Sequence, residues 1–236
     1  PDDVFLIMRS TIRFLRYAAA KIGEANLEYE RDGWALDFDF VADDLDCVLG
    51  EYGLPSNFQM PWIDAGETEA EAIERKVITL GGQLAFPVNI SINDLAAHYT
   101  PRRGDTLTIQ NDDYVKIDVG AHIDGFIADT AITIKPSGKD DLIICSEQML
   151  ENAIKIIKTG VTISEIGQVI QETAEKHGLN PINNLTGHSL DQYSLHSGLS
   201  IPNIKNNSKY KLQEGQVIAI EPFCTTGNGH VIDSGD

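Results

Sequence analysis

Two aspartates eleven residues apart bound the stretch Asp118-Val-Gly-Ala-His-Ile-Asp-Gly-Phe-Ile-Ala-Asp129, and the chain later supplies Gly187-His188 and Ile220-Glu221-Pro222. Two Asp, one His and one Glu from separated segments form the donor set of a divalent metal site. Oxygen-rich ligation with a single imidazole suits Mn, Fe, Co or Zn in a two-metal centre better than a closed structural zinc site. Two metals about 3.5–4 Å apart are the usual arrangement for metal-assisted amide hydrolysis.

The elements that position these residues can be read from the turn signals. Asp124-Gly125 is a strong two-residue hairpin signal, because both central positions of a type I′ turn need φ > 0. With that loop, Val115, Ile117 and Val119 share a face with Thr130, Ile132 and Ile134. The other face carries Lys116, Asp118 and Gly120 with Asp129, Ala131 and Thr133. Asp129 then lies diagonal to Asp118, at a Cα separation of roughly 7–8 Å. Carboxylates that close repel unless a cation lies between them. Taken alone, the hairpin is better explained as a solvated polar face opposite a buried one. One extra residue in the loop would flip one Asp to the other face.

The downstream segment changes the balance. It reads Asn183-Asn-Leu-Thr-Gly-His188-Ser-Leu-Asp-Gln-Tyr-Ser-Leu-His196-Ser-Gly-Leu-Ser-Ile-Pro-Asn203. A lone loop His is usually structural. Two, eight residues apart among glycines that admit close backbone approach, are less bland. Glu221 ends the apolar run Val217-Ile-Ala-Ile. A buried unpaired carboxylate there costs several kcal/mol, which a bound metal removes.

At these residues a resemblance enters. Residues from about 79 to 235 resemble methionine aminopeptidase, in particular the type II branch of archaea and eukaryotes. The matching blocks are Leu80 to Pro101, Val115 to Ile134, Asn184 to Asn203 and Leu212 to Phe223. Ala-Ala-His-Tyr-Thr-Pro and Leu-His-Ser-Gly-Leu-Ser-Ile-Pro-Asn are specific to that branch. The resemblance implies an α+β, pita-bread fold, with a mixed, mainly antiparallel sheet and helices on its outer face. It implies two divalent metal ions, with Asp118 as bidentate ligand of one and Asp129 as a bridging ligand. His188 would ligate the second, and Glu221 would be a ligand that also exchanges the proton of the attacking water. His98 and His196 resemble the two non-ligand histidines near the scissile bond. Phe86 and Leu195 are implied in the pocket for the methionine side chain. The implied reaction is hydroxide attack on the first peptide bond, removing the initiator methionine from nascent polypeptides at or near the ribosome. The alternative is a non-catalytic pita-bread module for protein contacts, of the kind in which metal ligands are lost.

The resemblance also sets up a departure. The family has a fifth ligand, a Glu near its C-terminus beyond an inserted helical subdomain, whereas this sequence stops at Asp236. The expectation is a fragment, weak or inactive unless another segment donates a carboxylate. Residues 1–65 are left as an unassigned acidic segment, with mixed helical character over Phe5 to Glu30. A strand is expected over Trp34 to Phe40 and a short helix over Val41 to Tyr52. Residues 66–236 are the metallopeptidase domain.

Elsewhere the pattern is ordinary. Thr68 and Glu71 form a capping box, and the helix they open keeps Ala70, Ile73, Val77 and Leu80 at helical spacing until Gly81-Gly82. A second helix is expected from Leu142 to Lys158, with Leu150, Ile154 and Ile157 as its stripe. A third runs from a capping box at Thr162 and Glu165 to His177, with Ile166, Val169 and Ile170 in the core. His177 is better explained by the helix dipole than by catalysis. Acidic residues number 36 against 18 basic, a net charge of −18, with 17 acids and 6 bases in residues 1–75. Such a surface opposes binding to nucleic acid or to anionic membrane. Cys47, Cys145 and Cys224 show no metal-type spacing, and no run approaches a membrane span, so a reducing cytoplasm is the default expectation.

Overall fold

The computed structural model of the protein describes residues 6–7 and 68–234, which belong to two compact units. One unit spans residues 8–138 and the other residues 1–7 with 139–236. Of the stretch Phe5 to Glu30, where helical character was expected, the two described residues instead form β1 (Leu6–Ile7), a strand of the second unit, because they pair in parallel with Val217 and Ile218. The strand expected over Trp34 to Phe40 and the helix over Val41 to Tyr52 lie outside the described residues.

The first unit opens, among described residues, with α1 (Glu69–Thr79). The expected capping box is present: Glu71 N donates to Thr68 Oγ1 at 3.2 Å and Thr68 N to Glu71 Oε2 at 2.9 Å. Ala70, Ala72, Ile73 and Val77 are buried, and Gly81, at φ 89°, ends the helix where an L side chain would be strained. The chain continues through β2 (Gln83–Leu84) and β3 (Asn89–Ile92). β4 (Val115–Ile123) and β5 (Phe126–Ile134) form the expected hairpin. Asp124 and Gly125 have φ of 50° and 84°, the two positive values a type I′ turn requires. β4 lies between β2 and β3 on one side and β5 on the other, every pairing antiparallel. Ile73 and Ala70 of α1 meet Val88, Ile90, Val115 and Ile117 in one cluster, so the helix covers the apolar face of the sheet. Burying each Ile or Val there stabilises by about 1.5–3 kcal/mol.

In the second unit, α2 (Asp141–Ile156) and α3 (Ile163–Lys176) pack on each other. Asp140 caps α2 by accepting from Leu142 N at 3.1 Å, and Thr162 with Glu165 forms the expected box on α3. The stripe of α2 differs from the expectation. Ile143, Cys145, Met149 and Ala153 are buried, while Leu150, Ile156 and Ile157 only flank the cluster. Small Cys145 and Ala153 share the inward line with Ile143 and Met149, and Leu150, Ile156 and Ile157 fill its margins. On α3, Ile166 and Ile170 are fully buried but Val169 is half-buried. Gly167 takes the inward place, because a Cβ there would lie 2.2 Å from Ile204 O.

The strands of this unit are β6 (Asn180–Pro181), β7 (Thr186–Leu190), β8 (Ser200–Pro202), β9 (Val217–Ala219) and β10 (Cys224–Thr225). They form a sheet of order β1-β9-β7-β8 and a separate β10-β6 pair. Among the described strands, β1 with β9 is the one parallel pair. No described helix is long and apolar enough to cross a membrane.

Candidate functional site

In the first unit the hairpin register is the one the two-residue loop dictates. Asp118 pairs with Ala131 and Gly120 with Asp129, so the two aspartates are diagonal on one face. Asn89 of β3 pairs with Asp118 from the other side. Phe86 belongs to this face too: a Cβ built on Gly120 would lie 2.1 Å from its Cε1, so the bare glycine seats the ring. The ring therefore lies on the face that carries both carboxylates.

His98 has φ 66°, left-handed backbone that a non-glycine residue rarely adopts, and its side chain is exposed. Strain of this kind persists where surrounding contacts over-determine it. Ile90 N donates to Tyr99 O at 2.7 Å, Tyr99 N to Ser91 Oγ at 3.4 Å, and Asn89 Nδ2 to Thr100 Oγ1 at 2.9 Å. The segment after His98 is thus laced to β3, next to Asp118 in the sheet. Asn89 and Ser91 were not singled out in the sequence. Their position inside the Leu80 to Pro101 block was the available signal.

In the second unit His188 pairs with Ala219 across β7 and β9. Continuing that register sets Glu221 opposite Thr186, on the face of His188. Gly187 makes this approach possible, because a Cβ there would lie 2.2 Å from Ala219 O. Asn203, fully buried, donates from Nδ2 to Leu185 O at 3.0 Å and to Glu221 O at 2.8 Å, holding the backbone on either side. It too went unremarked in the sequence, although it closes the Leu195 to Asn203 stretch.

The result is a close approach of two donor atoms. His188 Nε2 stands 2.9 Å from Glu221 Oε1, yet that buried oxygen accepts no aligned hydrogen bond. His188 Nδ1 faces Ser189 O at 3.4 Å. With its proton on Nδ1, the imidazole would turn the Nε2 lone pair to the carboxylate oxygen, and a pair that close is held by a cation or a proton between the two atoms. Atoms about 2.1 Å from one metal stand roughly 3.0–3.4 Å apart for right-angle to tetrahedral geometry. The pair therefore fits a divalent metal. His188 is buried, while the Glu221 side chain keeps 33 % exposure, enough for one oxygen to reach solvent.

His196 lies in the exposed loop after β7, its ring edge-on to His188 with centroids 4.3 Å apart. Leu195 beside it is half-buried. His177 caps α3 and pairs with Gln148 Oε1 at 2.9 Å, a structural place as expected. Cys145 and Cys224 are free thiols, and burial, then the neighbouring Cys145, pushes the Cys224 thiol up to about 12.

Residues 58–234 match the model of metallopeptidase family M24. The chain belongs to that family. It is 54% identical over 166 residues to a methionine aminopeptidase of Thermococcus onnurineus and 52% identical over 166 residues to one of Pyrococcus abyssi. Each match covers 70% of this chain and 56% of the relative, so the chain spans little more than half the length of these proteins. Among solved structures, the methionine aminopeptidase of Thermotoga maritima aligns with a TM-score of 0.64 at 28% identity, covering 70% of this chain and 71% of that one. The fold of this M24 member is the pita-bread fold, with antiparallel sheets and helices as the sequence implied. Family membership makes it part of a group of metal-dependent peptidases.

Proposed function

We propose that the protein carrying this chain removes the N-terminal methionine from polypeptides, with residues 66–236 forming most of its metallopeptidase domain. The observation that carries the reading is the 2.9 Å approach of His188 Nε2 to Glu221 Oε1, a buried oxygen that accepts no aligned hydrogen bond. The similarity to named methionine aminopeptidases supplies the substrate. Asp118, Asp129, His188 and Glu221 would hold two divalent ions of Co, Mn, Fe or Zn type. When bound, such ions bring the pKa of a water toward neutrality and polarise a carbonyl.

The residues of the chain do the rest. Glu221, with one oxygen able to reach solvent, takes the proton of the attacking water and returns it to the leaving amine. One of His98 and His196 stabilises the oxyanion that develops on the peptide carbonyl, and the other orients the substrate. Preorganised donors of this kind are often the largest single contribution to rate. The strained backbone at His98 supports such a role. Phe86, seated on Gly120, and Leu195 supply apolar surface for an unbranched thioether side chain. The expected substrates are nascent chains emerging near the ribosome in the cytoplasm.

The test is cleavage of a Met-Ala-Ser peptide by the full protein with Mn or Co present. Release of free methionine, lost when His188 is replaced by Ala, is the expected result. No release from metal-loaded protein would refute the reading and favour a binding module.

A further inference from the structure

Ser189 carries a buried hydroxyl that none of the roles above uses. It follows His188 in β7 and is 7% exposed. Alternation along the strand turns its side chain to the face opposite His188, so it is not a ligand. Its Oγ accepts from Ser197 Oγ at 2.8 Å and from Leu199 N at 3.0 Å. Its backbone closes on the same two residues: Ser197 N donates to Ser189 O at 2.9 Å, and Ser189 N donates to Leu199 O at 2.9 Å. All four bonds thus grip the residues on either side of Gly198, whose φ is 100°. His196 immediately precedes this grip. On its other side the loop closes its own turn, where Asp191 and Ser194 exchange backbone bonds of 3.0 and 2.9 Å. Tyr193 and His196 are exposed.

We propose that Ser189 is a positioning residue, whose hydroxyl pins the His196 loop to β7 and so sets the His196 imidazole beside His188. This rests on the reading that His196 acts on substrate. A hydroxyl shared by a side-chain and a backbone donor restricts the loop more than the two backbone bonds alone. Small displacements of a group aimed at a reacting bond reduce rate steeply.

The experiment compares Ser189→Ala with wild type in the full protein. The substitution is small and leaves the backbone bonds in place. Ring signals of His196, assigned with His196→Ala, are followed by NMR. Wild type should give one sharp set with a cross-peak to the His188 ring. Ser189→Ala should give a set at least about twofold broader or split, with a weaker cross-peak, and Ser197→Ala a smaller change. An unchanged His196 signal and cross-peak in Ser189→Ala would overturn the proposal whatever the activity. In kinetics, Ser189→Ala should lower kcat about tenfold with KM within about twofold. The same change in a His196→Ala background should lower it no further. Equal losses in both backgrounds would also overturn it. If His196→Ala alone leaves kcat unchanged, the catalytic reading of His196 fails, and the ring signals still decide whether Ser189 holds it.

Discussion

Asp118 and Asp129 stand diagonally across a hairpin closed by two residues, whereas His188 and Glu221 stand diagonally across strands with residues 191–216 between them. The donor arrangement is the same in both units, but the register is fixed by different means. In the first, the Asp124-Gly125 turn leaves one register open. In the second, a long connection dictates nothing, and the close pass of Ala219 over Gly187 decides it. A local device is thus readable in sequence, and a packing device is not.

The largest effect expected from this contrast comes from a one-residue insertion between Gly125 and Phe126. It would turn Asp129 to the opposite face and lower kcat/KM by on the order of a thousandfold, the scale for losing a group that stabilises developing charge. A glycine inserted between Asn207 and Ser208, in the long connection of the other ladder, should change kcat/KM by less than about threefold, because loop-closure entropy grows slowly with length. Similar losses from both insertions would remove the contrast.

Glycine substitutions come next. Gly187→Ala drives a methyl into the backbone carbonyl of Ala219, which cannot yield without parting the strands. Urea unfolding should show a loss of about 3 kcal/mol, the upper end of overpacking. Gly120→Ala drives its methyl first into the Phe86 ring, a side chain that can rotate away. It should lose about 1 kcal/mol but raise KM for methionyl peptides. The reverse order of stabilities would show that the second ladder is not set by Gly187.

The capping boxes should be alike. Thr68→Ala and Thr162→Ala each remove a side-chain acceptor from an orphan N–H and should each lose about 1 kcal/mol. A difference above about 1 kcal/mol between them would show that one helix end is held by something besides its cap.

The smallest effect is electrostatic and confined to the second unit. Burial raises the Cys224 thiol from an ordinary value of 9.0 to about 12 in the folded protein. Its contribution to stability is therefore complete below about pH 9 and is lost as pH rises toward 12. The thermal midpoint should fall over that window, and less steeply in Cys224→Ala. An identical slope in the variant would contradict the burial assigned to this thiol.

The α1 and α3 boundaries, the hairpin and its faces were legible because each rests on contacts a few residues apart. The capping boxes and the Asp-Gly turn are complete in the sequence. The stripe of α2 was misread because small Cys145 and Ala153 share its inward line with Ile143 and Met149, and a cysteine and an alanine do not mark a core line in the sequence. Glu221 could be singled out as a carboxylate after an apolar run, but its approach to His188 depends on Gly187 and Asn203. Those side chains carry no chemical signature of their own. Ser189 was hidden for the same reason, since a serine in a strand reads as nothing until its partners across Gly198 are known.

The most direct test of the account is titration of the full protein with Co(II), followed by calorimetry and visible absorption. Binding should weaken at least about tenfold in Asp118→Asn and in His188→Ala, with circular dichroism unchanged. Co(II) binding of equal strength in wild type and both variants, or none in wild type, would contradict it.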